Sequence, residues 1–110
     1  FSKYQRLLEL IKSDWKWNGK DSKDRILIFT GRRKTQRFLL ENLSYDLGIK
    51  EESVLSIDGS MQDVQLNDVV EKFSKEKGEL RILILQRWHL RGLISTIFAI
   101  VSFTLIFHGH

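Results

Sequence analysis

The chain contains no cysteine and no proline, and only one methionine among its 110 residues. Without cysteine there is neither a disulfide framework nor a thiolate metal site, which suits a reducing compartment and makes the cytoplasm the expected location. The lack of proline is unusual but does not point to a fibrous or disordered chain, because the 42% hydrophobic and 29% charged fractions are those of a globular protein. A secretory leader is not expected either, since the first residues are too polar for an apolar h-region. The uncharged apolar run Leu93 to Phe107 falls short of the roughly 18 residues that argue for a membrane span, so no membrane partner is expected. The sequence opens on Phe1 rather than Met and reads as a piece of something longer.

What is present is basic: a net charge of +4, with an isoelectric point near 9.5. That balance fits a polyanionic partner such as nucleic acid and equally fits a solvated lysine-rich surface. Tyr4, Leu7, Leu8, Ile11 and Trp15 recur at helical spacing between Lys3, Arg6, Glu9 and Lys12, which predicts an amphipathic opening helix. After the break at Asn18 to Ser22, the apolar run Arg25 to Thr30 predicts a strand buried on both faces. A second helix follows from Thr35 to about Leu47, with Phe38, Leu39 and Leu43 as its core stripe and Gly48 as its cap. Ser53 to Asp58 reads as the second strand, Val64 to Ser74 as the third helix through Val69, Val70 and Phe73, and Leu80 to Leu85 as the third strand.

Strands alternating with helices at this spacing predict an α/β fold, a parallel sheet with helices on both faces preceded by an N-terminal helix. In such sheets ligands gather at the carboxyl ends of the strands, here the turns after Thr30, Asp58 and Leu85. Thr30, Gly31 and Arg32 offer a hydroxyl, a backbone amide and a guanidinium at a strand end, a set able to hold phosphate oxygens, and Arg33 and Lys34 extend the basic rim. The same residues also fit a solvated helix entry. Asp58, Gly59 and Ser60 fit either a backbone-amide contact to a phosphate or a turn chosen for its geometry. Trp15 and Trp17 offer stacking surfaces for bases, although Trp15 lies on the apolar helix face and fits the core.

Three ordered blocks resemble superfamily 2 helicases. Asp24 to Gly31, Asp-Arg-Ile-Leu-Ile-Phe-Thr-Gly, is similar to motif IV; Val54 to Met61 followed by Asn67 to Phe73 resembles the next block, a Gly turn before a helix ending in Phe; and Arg81 to Ile84 falls where the strand into motif V belongs. The opening helix resembles one that precedes motif IV in Swi/Snf-type and related bacterial motors. The resemblance spans about residues 3 to 84 and implies a partial RecA-like C-terminal lobe, the second of two, which steps along DNA or RNA as the cleft between lobes opens and closes around ATP and Mg. It implies the first lobe as a partner, and Thr30, Gly31, Arg32, Asp58, Gly59 and Ser60 as nucleic-acid or interlobe contacts. Leu66 departs from the pattern, because the family often carries Arg there.

The larger departure lies after Ile84, where motif V should follow and the chain reads Leu85-Gln-Arg-Trp-His-Leu-Arg-Gly-Leu-Ile94. With one choice among the degenerate codons, restoring a single G ahead of the tail yields Ala-Thr-Glu-Val-Ala-Ser-Glu-Gly-Leu-Asn-Leu-His-Tyr-Leu-Cys-His-Arg-Leu-Ile-His-Phe-Asp-Ile-Pro-Trp-Ser. That reading resembles motif V and the strand after it. The expected organisation is therefore a partial helicase lobe over residues 1 to 84 and an out-of-frame hydrophobic tail over 85 to 110, either aggregation-prone or buried as an improvised edge element.

The chain by itself is expected to be catalytically inactive, with no cofactor of its own. ATP hydrolysis requires a phosphate cradle with its Lys and acidic groups for Mg, which the family keeps on the other lobe. Gly19-Lys20-Asp21-Ser22 does not supply one: Asp14 stands where the upstream Gly of that motif falls, and Asp21 where the hydroxyl follows Lys20. His89, His108 and His110 lack the spacing and neighbouring ligands of a metal site. A rival reading takes Leu93 to Phe107 at face value, as the hydrophobic C-terminal membrane anchor of a small interaction protein.

Overall fold

The computed structural model describes residues 2–17, 24–57, 63–74, 79–85, 97 and 99–107. The fold class is α/β, as expected. Four strands, β1 (Ile26–Thr30), β2 (Val54–Ile57), β3 (Ile82–Leu85) and β4 (Phe103–Phe107), form one parallel sheet in the order β2-β3-β1-β4. Among the described residues the helices α1 (Ser2–Glu9), α2 (Arg33–Leu47) and α3 (Asp63–Ser74) accompany them. β1 lies inside the sheet, with Ile26 opposite Ile82 of β3 on one side and Phe103 of β4 on the other.

Every residue of β1 is buried, and so is every residue of β3. Successive side chains of a strand point to opposite faces, so a strand buried on both sides must be apolar at consecutive positions. Ile26 and Ile28 pack on one face with Ile82, Ile84 and Val54 beneath Tyr4, Leu7 and Ile11 and beneath Leu39 and Leu43 of α2. Leu27 and Phe29 pack on the other face with Leu83, Leu85 and Ile57 beneath Leu66, Val69, Val70 and Phe73 of α3. Right-handed crossovers explain the division: β1 to β2 runs one way across the sheet and β2 to β3 runs back, which sends α2 and α3 to opposite faces.

The opening helix keeps its expected apolar face but not its regular winding. After α1, Leu10–Asp14 is a π-helical turn, with the Trp15 amide donating to the Leu10 carbonyl at 2.9 Å and the Trp17 amide to Ile11 at 2.9 Å. Lys16 then takes a positive φ of 51°. The wider turn rotates both tryptophans toward the sheet. Trp17 is buried and its indole N–H donates to the Asp24 carbonyl at 2.9 Å, while Trp15 stacks on Phe103 with ring centroids 4.4 Å apart and planes 12° apart. Burial of Trp17 corrects its stacking reading, and Trp15 packs half-buried against the core, in keeping with its place on the apolar helix face.

α2 ends at Gly48, whose φ of 70° is the left-handed cap expected of it; its amide and that of Ile49 close onto the Tyr45 and Ser44 carbonyls. Residues on either side of position 84 share the sheet, since Leu85 completes β3 and Phe103–Phe107 forms β4. Phe103, Leu105 and Phe107 face the α1 side, whereas Thr104 and Ile106 are exposed. Part of the apolar run proposed as an anchor is thus strand, and no helix among the described residues is long and apolar enough to cross a membrane.

α1 is tied to α2 through Tyr4, whose hydroxyl donates to Asp46 Oδ2 at 2.6 Å and whose ring meets Phe38 edge-on at 4.9 Å. Burial, and then the carboxylate that accepts its proton, raise the Tyr4 pKa above its ordinary value. A raised tyrosine pKa stabilises the fold in full below the unfolded value of about 10, and that contribution is lost as pH climbs beyond it. Tyr4→Phe is expected to lower stability by about 1 kcal/mol at neutral pH. In urea titrations the gap between Tyr4→Phe and the parent should narrow above about pH 10; a gap that stays constant there would show that Tyr4 is not held protonated by folding.

Candidate nucleic-acid interface

Strand order places the site. The chain leaves β1 toward α2 on one face, and it leaves β3 on the way to β4 on the other side of β1, with Ile97 packed in the α3-side core. In α/β sheets ligands collect at the carboxyl ends of the strands, where the strand order reverses, here between β1 and β3. Thr30 and Gly31 stand at this edge.

Thr30 is buried at the end of β1, in register with Phe107, so its side chain belongs to the rim of the core rather than to open surface. Gly31 is exposed, and a Cβ built on it would meet nothing within 4 Å. Its glycine therefore leaves the backbone open without being demanded by packing. Arg32 is extended, with φ −133° and ψ 140°, and forms the N-cap of α2 without a side-chain capping bond. Its carbonyl accepts the Gln36 amide at 3.0 Å, starting the helix.

The electrostatics of this helix start are inverted relative to the usual preference. A helix N-terminus carries partial positive charge and favours Asp or Glu, each worth ~0.3–1 kcal/mol there. α2 has no acidic residue in its first turn; Arg32, Arg33 and Lys34 stand there instead, all exposed, with Arg37 exposed one turn on from Arg33. Stacking cations on a positive helix end is unfavourable for the free protein and favourable once an anion sits against them.

Beneath the rim lies a polar residue that the sequence reading did not single out. Gln36 is 3% exposed, and its side-chain nitrogen donates to the Ile57 carbonyl at 2.8 Å and to Ser56 Oγ at 3.2 Å. A carbonyl only accepts, so the nitrogen must face Ile57, and Gln36 Oε1 is left buried with no hydrogen-bond partner. The signal was present as a polar residue on the core stripe of α2, spaced with Leu39 and Leu43. Arg37 was also missed, because its place beside Arg33 emerges only once α2 is known to begin at Arg33.

The structure brings Thr30, Gly31 and Arg32 together with Arg33 and Lys34. Asp58, Gly59 and Ser60 lie outside the described residues, directly after Ile57, as do Gly19 to Ser22 and the three histidines. Among the described residues no group of His, Asp or Glu is placed to hold a metal ion. Leu66 is core, packed with Val69, Val70 and Phe73.

A parallel sheet covered on both faces and preceded by an N-terminal helix defines the class of this fold as RecA-like α/β. Among solved structures, the chain is similar to Mss116p DEAD-box helicase domain 2 bound to an RNA duplex, with a TM-score of 0.63 and 21% identity over 97% of this chain. The chain spans 50% of that solved chain. No family model and no curated protein matches the chain in sequence.

Proposed function

We propose that this chain is part of the second motor lobe of an ATP-dependent superfamily 2 helicase or translocase, close to the Swi/Snf-type and related bacterial motors, and that it contacts the backbone of DNA or RNA. One observation carries the reading: the carboxyl edge of a RecA-like sheet presents an uncapped helix start bearing Arg32, Arg33 and Lys34. Backbone amides and cations at one helix end suit phosphate oxygens, and such contacts position a nucleic acid without reading its bases. Thr30 and Gly31 border that contact, and Asp58, Gly59 and Ser60 continue it or face the other lobe.

In the intact parent, the first lobe supplies the phosphate cradle and the acidic residues that hold Mg and ATP, and this lobe closes upon it. The resident compartment in this reading is the cytoplasm. Phosphate contacts release counterions, so affinity for a short labelled duplex should fall with salt, with a log-log slope near −0.9 per contact. Replacing Arg32, Arg33 and Lys34 together by Ala should weaken binding and flatten that slope by about 2 to 3. A wild-type chain that ignores both duplex DNA and duplex RNA at low salt overturns the reading. The purified chain should hydrolyse no ATP, and turnover would refute its assignment as half of a motor.

The tail after Ile84 belongs to the same reading, as out-of-frame sequence. The alternation in β4 supports it. Phe103, Leu105 and Phe107 point inward while Thr104 and Ile106 are exposed, Ile106 by 46%. Across those five codons the restored frame reads Ile-His-Phe-Asp-Ile, with apolar residues at the three inward positions and His and Asp at the two exposed ones. Sequencing the locus across Ile84 to Trp88 and beyond should find the extra nucleotide, with helicase motifs continuing in the restored frame. An intact short frame would make the present tail genuine.

A further inference from the structure

We infer that Gln36 is a positioning residue for this interface: its side-chain amide fixes the first turns of α2, and with them the basic rim of Arg32, Arg33 and Lys34, to the carboxyl end of β2. The inference rests on the nucleic-acid reading above. Gln36 is bound at both ends of the connection. Its backbone amide donates to Arg32, the cap residue of α2, and its side-chain nitrogen donates to Ile57, the last residue of β2 before Asp58. Ser56 adds a second acceptor on the same strand. The basic rim and the end of β2 are thus linked through one side chain, although 20 and 21 positions separate it from its two acceptors.

Packing alone does not account for glutamine here. A buried amide with Oε1 unpartnered costs free energy that an apolar side chain of similar length would not, while Leu39 and Leu43 show that the same helix stripe accepts aliphatic residues. What the amide provides and an aliphatic chain does not is a directional hold on the β2 carbonyl. Preorganisation of this kind matters for binding a backbone whose phosphates are regularly spaced, because cations on a helix start already held in place need not be ordered on binding.

Gln36→Met and Gln36→Glu test the idea. Methionine preserves the length and removes both the hold and the unpartnered oxygen, so melting should stay close to wild type while duplex affinity falls by about tenfold. Its salt slope should become shallower by about 0.9, one phosphate contact fewer, a change that lowered stability alone does not produce. In Gln36→Glu the ionised carboxylate cannot donate to Ile57, whereas the protonated acid can. Its affinity relative to wild type should therefore be low near pH 8 and recover toward pH 5, with wild type measured at each pH.

If Gln36→Met binds the duplex with wild-type affinity and slope, the positioning role is overturned, while the nucleic-acid reading stands on the loss caused by replacing Arg32, Arg33 and Lys34. A wild-type chain that binds no duplex removes that reading, and the role of Gln36 with it. Should Gln36→Met fail to fold, the pH recovery of Gln36→Glu decides: recovery supports the hold on Ile57, and equal weakness at both pH values rejects it.

Discussion

β1 is covered on both faces and hydrogen-bonded along both edges, and the placement of the other elements follows from that condition. A central parallel strand leaves no side for polar residues, which is why Ile26, Leu27, Ile28 and Phe29 are all apolar. Burying them requires a helical layer above and another below. α1, its π-helical extension and α2 supply one layer; α3 and the segment at Ile97 help supply the other. At the carboxyl end of β1 this covering stops, where buried Thr30 gives way to exposed Gly31.

The site is therefore a consequence of topology before it is a consequence of residue type. β1 leads into α2 at the carboxyl edge of the sheet, and α2 begins there with three cations where an acidic cap would ordinarily be favoured. The free protein tolerates that arrangement because the guanidinium and ammonium groups remain exposed to water, where repulsion is screened. Gln36 stands one layer below, in the dry region where a single hydrogen bond is directional and costly to lose. The surface charge and the buried amide lie at the same edge at different depths.

β4 shows how a sheet accommodates a strand of unusual composition. Its pairing with β1 satisfies one edge, and Phe103 gains the flat face of Trp15 at a stacking distance. The wide π-helical turn is part of this contact, because it turns Trp15 toward the strand rather than along the helix. Ile106 remains exposed on the opposite face, an apolar residue on an edge strand where a polar one would ordinarily guard against association.

Much of this protein was determined by short-range pattern. The consecutive apolar residues of β1 and β3, the helical stripes of α1, α2 and α3, and the cap at Gly48 each follow from repeats of two or about 3.6 residues that a local stretch of chain carries by itself. The α/β class followed from the alternation of those elements. The order β2-β3-β1-β4, the π-helical turn, the inward place of Trp17 and the grip of Gln36 on Ile57 were decided only by tertiary structure. Each depends on groups far apart in the chain, and their pairing is set by which surfaces must leave water together rather than by any neighbour in sequence.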